Sequence, residues 1–198
     1  MIKGWHGWAG TFTGVVLVTA AVLPLAVLAV WALARRRRAS GTAPMWAWRR
    51  SLAEVGIVYG TVPWVWMIML PDDRPATDRD LVNLVPLRDL FEVVTSTPLT
   101  ATVQIGGNLL VFAALGALAP VRFAALASVP RVVAVGAGLS VLVETAQYAL
   151  RLERVSSVDD VLLNAAGAGL AALASRRWWR TGDDAPPERS RPVAVAGR

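Results

Sequence analysis

Four side chains in the carboxyl-terminal half carry most of the chemistry that this sequence offers: Glu144, Gln147, Asp160 and Asn164. Glu144 and Gln147 stand three apart, and Asp160 and Asn164 four apart, so at helical pitch each pair lies on one face. Each pair adjoins an apolar run, Val132 to Val143 before the first and Val161 to Ala174 after the second. A carboxylate placed there can accept hydrogen bonds, hold a ligand by its hydroxyl or amine donors, or exchange a proton. Within a membrane-spanning segment it is also costly, which makes a functional site the first reading. It must be protonated or find a partner. Arg154 is the natural partner, because a guanidinium matches a carboxylate bidentately.

The elements that must position these groups follow from composition. The chain has 198 residues, 55% of them hydrophobic and 17% charged, with a mean hydropathy of +0.49. Such a profile fits a small multi-span membrane protein better than a soluble domain. Absence of cysteine excludes disulfides and thiolate metal sites. The net charge of +6 would suit nucleic acid, but the arginines cluster beside apolar runs, so a nucleic-acid partner is not expected. Most of the nine tryptophans, among them Trp31, Trp46, Trp48, Trp178 and Trp179, stand near the ends of those runs as interfacial anchors would.

A span needs roughly 20 mostly apolar residues. Five segments qualify, at about 11–34, 52–70, 102–119, 132–150 and 158–175. The first is read as a retained span rather than a cleaved signal, since its apolar run is long and Arg35 to Arg38 follow at once. Pro63 predicts a kink in the second, and Glu54 near its basic end can reach headgroups or Arg50. Between the second and third spans, the stretch containing Asn83, Pro86 and Phe91 suggests a short interfacial or re-entrant helix on the outer face. The fold class is therefore all-α, an integral membrane bundle of five transmembrane helices. Its parts are an amino-terminal span and basic loop (1–50), a membrane domain (51–175) and a basic, disordered tail (176–198).

Placing the arginine-rich loops on one side gathers 14 of the 20 Lys and Arg residues there. The positive-inside rule makes that side cytoplasmic, with the amino end outside and the carboxyl end inside. In this arrangement Asn108, Glu144 and Asn164 each lie about six residues, or roughly 9 Å, below the outer interface. Gln147, Arg154 and Asp160 lie above them. Asp159, at the start of the fifth span, reads as an N-cap. The competing explanation for the polar cluster is interhelical glue, at about 0.6–2 kcal/mol per bond. Gly136, Gly138, Ser140 and Gly167 are read as packing positions. His6 is the only histidine, so neither a metal site nor a His-based dyad is expected, and no motif calls for a cofactor.

At these residues the chain resembles the VanZ-like family of small bacterial membrane proteins. The resemblance rests on Asn83-Leu-Val-Pro86, Gly107-Asn108-Leu-Leu-Val-Phe112 with Gly116, and Glu144-x-x-Gln147. It continues through Arg154, Ser157, Asp159, Asp160-Val-Leu-Leu-Asn164 and Gly167, covering about 83–174. It implies a multi-pass protein of the bacterial cell membrane, related to one associated with low-level resistance to the glycopeptide teicoplanin. Three functions stay open. The first is an outward polar pocket (Asn83, Asn108, Glu144, Gln147, Arg154, Asp160, Asn164) that binds a lipid-linked peptidoglycan precursor or obstructs a glycopeptide. The second is an intramembrane enzyme acting on a lipid-linked phosphate or sugar. The third is a small proton-coupled transporter. Membrane lipids are partners under all three.

Overall fold

The computed structural model describes residues 12–70, 82–152 and 156–179. In chain order these form α1 (Phe12–Ala39), α2 (Pro44–Ile68), β1 (Val82–Asn83), α3 (Arg88–Val94), α4 (Pro98–Val111), α5 (Ala113–Arg122), α6 (Val129–Ala149), β2 (Ser156–Ser157) and α7 (Val158–Ser175). Helices α4 and α5 together make the third span, so five segments are long and apolar enough to cross a bilayer. The all-α membrane bundle expected from composition is what the chain forms. Arg154, the stretch 71–81 and the tail beyond Trp179 lie outside the described residues.

Several boundaries differ from those read off hydropathy, each for a local reason. The arginine run does not end α1; Arg35 to Arg38 continue the helix to Ala39. Helix α2 starts at Pro44, well before its apolar stretch, because Pro at the first turn is preorganised for helix and the Trp/Arg turns that follow can lie in an interface. The third span starts at Pro98 rather than near residue 102, since the Thr97 hydroxyl accepts the Thr100 amide (3.3 Å) and Pro98 fills the first turn. The third span also runs past Pro120. This proline is buried inside α5, which runs on to Arg122. Pro63 likewise sits within α2 without stopping it. Helix α6 ends in a left-handed residue, Arg151 (φ 51°), with the Leu152 amide reaching back to the Gln147 carbonyl (3.1 Å) as a terminal helix cap.

Helix α7 is the centre of the bundle. Of its most apolar window 44% is buried, against 6% for α1. Small residues make this possible. An added Cβ at Gly167 would stand 2.0 Å from the Leu109 carbonyl oxygen, and one at Gly116 would stand 2.1 Å from that of Ala168. The third and fifth spans thus meet backbone to backbone, as small-residue crossings in membranes do. An added Cβ at Gly136 would stand 3.0 Å from the Ala168 methyl, whereas one at Gly138 would meet nothing within 4 Å, so Gly138 is not a packing position. The break at Phe112 (φ −113°, ψ 14°) separates the two halves of the third span, so that α4 meets α7 at Gly167 and α5 meets it at Gly116. Around the rim, Leu25, Val27, Leu28, Leu142 and Leu170 are exposed, as lipid-facing side chains are.

Two polar assemblies fasten opposite ends of the bundle. At the arginine-rich end Glu54 is bridged by Arg37 (2.5 Å) and by Arg122, and Arg37 also donates to the Ser51 hydroxyl (2.7 Å). These bonds tie α1, α2 and α5 together. The other assembly involves the segment between the second and third spans and belongs to the site described next.

Candidate functional site

The start of α7 is built by Ser157 and Asp159. Ser157, in extended conformation, is the N-cap: its hydroxyl accepts the Asp159 amide at 3.1 Å. Asp159 is therefore not the cap. Its carboxylate, 3% exposed, instead accepts the amides of Leu87 (2.6 Å) and Leu90 (3.0 Å). Those amides open α3, so one buried acid holds the short helix onto the end of the fifth span. Leu87 takes a left-handed conformation (φ 67°) that a branched apolar residue rarely adopts. The same seam carries a parallel ladder, Val82 opposite Ser156 and Asn83 opposite Ser157. Asn83 closes its own turn, accepting the Val85 amide (3.0 Å) and donating to Asp89 (2.5 Å). The outward sides of this segment, Leu84, Val85, Leu87, Phe91 and Val94, are all exposed and apolar. Such a segment suits an interface rather than water.

Glu144 sits beneath that seam. Its carboxylate accepts the Ser157 amide (3.2 Å), and its carbonyl accepts the Ser156 hydroxyl (3.2 Å). The same carboxylate borders a groove of about 340 Å³ whose walls include Val82, Leu84, Val141, Tyr148 and Val161. Leu84 comes from the seam that Asp159 and the ladder hold in place, so the lock also shapes a wall. The groove opens sideways, Val141 and Tyr148 being half exposed. Chemically it is a mostly apolar trough whose lining also carries hydrogen-bonding residues: Glu144, Thr145, Tyr148, Ser156 and Ser157.

The other polar residues do not meet in one place. Asn108 donates to Asp160, joining α4 to α7. Asn164 donates to Ser140 (2.8 Å), joining α7 to α6, and its side-chain amide oxygen Oδ1 is buried without a partner among the described residues. Gln147 turns to α2 and donates to the Ile68 carbonyl (2.7 Å). Asn108, Glu144 and Asn164 also do not share one depth. Ser140, the partner of Asn164, is one helical turn below Glu144 on α6, so Asn164 lies about 6 Å deeper. A spacing of three or four keeps side chains near one another on a helix, but in a bundle each can address a different neighbour. Among the described residues no three of His, Cys, Asp and Glu gather as metal ligands would.

The VanZ/LLP1 family model matches residues 57–179, more than half of the chain. The chain belongs to the VanZ/LLP1 family. No curated protein and no solved structure matches it. The VanZ/LLP1 region takes in the seam, the Glu144 groove and the crossing of the third and fifth spans, and leaves out α1 and the amino-terminal part of α2. Within it, the roles of Ser156, Ser157 and Asp159 are the ones that spacing did not disclose. One signal was available: a second acid beside Asp160 exceeds what a helix amino end needs, and so announces another partner.

Proposed function

We propose that this VanZ/LLP1 protein binds a lipid-linked cell-wall group in the groove beside Glu144. The observation that carries the reading is a carboxylate in the lining of an otherwise mostly apolar trough with half-exposed walls. A prenyl or acyl tail would lie along Val141 and Val161. Glu144 and the hydroxyls of Ser156 and Thr145 would meet the hydroxyl and amide donors of a sugar or peptide head. Occupation by a lipid-anchored glycopeptide of the teicoplanin type would use the same chemistry and would link the groove to resistance.

Val141→Trp, on an exposed wall, fills the trough and is expected to lower binding of a lipid-linked disaccharide about tenfold or more. Glu144→Gln is expected to weaken binding only severalfold, because the amide still accepts the Ser157 amide and loses only charge assistance. Binding by the purified full chain is measured by native mass spectrometry. Val141→Trp with unchanged binding would sink the reading. If Glu144→Gln instead keeps binding and loses a turnover by about 10²–10⁴, the site is an acid–base enzyme.

The arginine-rich end faces the cytoplasm in this proposal, and the groove faces out of the bacterial cell membrane. The chain has no cysteine, so single replacements report directly. Ser96→Cys, beyond α3, should react with an impermeant maleimide in intact cells. Ser40→Cys, at the end of α1, should react only after permeabilisation. The reverse pattern inverts the topology.

A further inference from the structure

A second groove, of about 520 Å³, runs between α1 and α2. Its walls include Val22, Leu25, Val58, Val62 and Trp66, and four of these, Val22, Leu25, Val58 and Val62, are 41–64% exposed. Glu54 borders it, and Glu54 holds two guanidinium groups, Arg37 and Arg122. Two cations on one carboxylate leave a positive charge beside the groove. Arg122 engages Glu54 through Nε alone and stacks on the exposed Phe123 ring at 4.8 Å, so its terminal nitrogens make no described hydrogen bond. About one third of its side chain is accessible (35%). Nearby, Arg35 lies over Trp31 (5.3 Å) and Arg49 over Trp46 (5.4 Å), pairs that suit the headgroup level of a bilayer.

We propose that this cleft binds an anionic phospholipid, with an acyl chain in the α1–α2 groove and the phosphate on Arg122 and Arg37. Charge complementarity selects the occupant: a guanidinium pair with spare donors suits a phosphate, and basic pockets between membrane helices hold anionic headgroups. A zwitterionic lipid would bring a choline or amine against the same arginines. The site is independent of the Glu144 groove. Its arginine-bearing end lies at the opposite end of the bundle, and its α1 wall, from Val18 to Ala29, stands outside the VanZ/LLP1 region, which takes in Val58, Val62, Trp66 and Arg122.

The test uses the full chain in a neutral detergent, with native mass spectrometry counting bound lipid. Phosphatidylglycerol, phosphatidylcholine with the same acyl chains, and inorganic phosphate are the probes. Phosphatidylglycerol should be retained about fivefold or more over phosphatidylcholine, and Arg122→Gln should erase most of that preference. Arg37 still ties Glu54 in that variant, which keeps α1 on α2. Val58→Trp, on an exposed wall, should reduce phosphatidylglycerol retention about tenfold. Equal retention of the two lipids would overturn the proposal, as would wild-type retention by Val58→Trp. Displacement of phosphatidylglycerol by an equal concentration of inorganic phosphate would also overturn it, as would a second copy of the chain taking the lipid's place.

Discussion

Replacing Gly167 or Gly116 by alanine should push the third and fifth spans apart and leave little folded protein. The new methyl groups would overlap carbonyl oxygens at 2.0 and 2.1 Å, and both obstacles are backbone, which cannot rotate away as a side chain can. Overpacking commonly costs about 1–3 kcal/mol, and a collision of two helix backbones belongs at or above the upper end. Gly138→Ala is the matched control. Its methyl would meet nothing within 4 Å, and alanine is favoured over glycine in a helix by about 1 kcal/mol. Thermal unfolding in detergent, followed by size-exclusion retention, should show a large loss for the first two variants and no loss for the third. Equal behaviour of all three would mean that the spans do not cross at these glycines.

Asp159→Asn is expected to release the segment that carries β1 and α3 while leaving the bundle assembled. The carboxylate accepts two backbone amides, and an amide side chain would present N–H to one of them. Hydrogen bonds to a charged acceptor contribute about 1.5–3 kcal/mol, and a buried donor left unpaired costs a further ~1–3 kcal/mol. Hydrogen exchange at residues 87–94 should therefore accelerate at least tenfold, with exchange in the middle of α7 unchanged. Leu87→Gly in the same background should recover part of the loss, because the left-handed conformation at φ 67° costs leucine what glycine does not incur. Unchanged exchange at 87–94 would show that the ladder alone holds the seam. Since Leu84 forms part of the Glu144 groove, the same variant should weaken whatever that groove binds.

The bundle was legible because membrane spans advertise themselves by length and apolarity, and α7 was read with the limits it has, Val158–Ser175. The third span was misjudged at its start because hydropathy falls before the helix does: Thr97 and Pro98 extend it through capping chemistry that an apolarity scale ignores. The polar residues were found as types but not as partners. Gln147 and Glu144, three apart, face α2 and the start of α7 respectively, and no linear spacing encodes which neighbour a helix face will meet. The position of Glu54 suggests headgroups or Arg50 as partners, and its described bonds add Arg37 and Arg122, which the sequence does not single out. Arg37 can reach Glu54 because α1 keeps its helical course through the arginine run, where hydropathy falls but helix propensity does not.

The two fastenings of the bundle also differ in when they can close. Arg37, Glu54 and Arg122 have all been synthesised once the third span is made, so the basic end can lock while later spans are still on the ribosome. Leu87 must wait 72 residues for Asp159, about 4–14 s at bacterial-to-eukaryotic elongation rates of ~5–20 residues per second. For the second half of that interval, once Arg122 has been made, the third span rests in lipid, with Asn108 and Gly116 still lacking the helix that will cover them. Assembly of these spans thus runs from a half-bundle pinned at one membrane surface to a five-span bundle closed at the other, and the fifth span completes the seam.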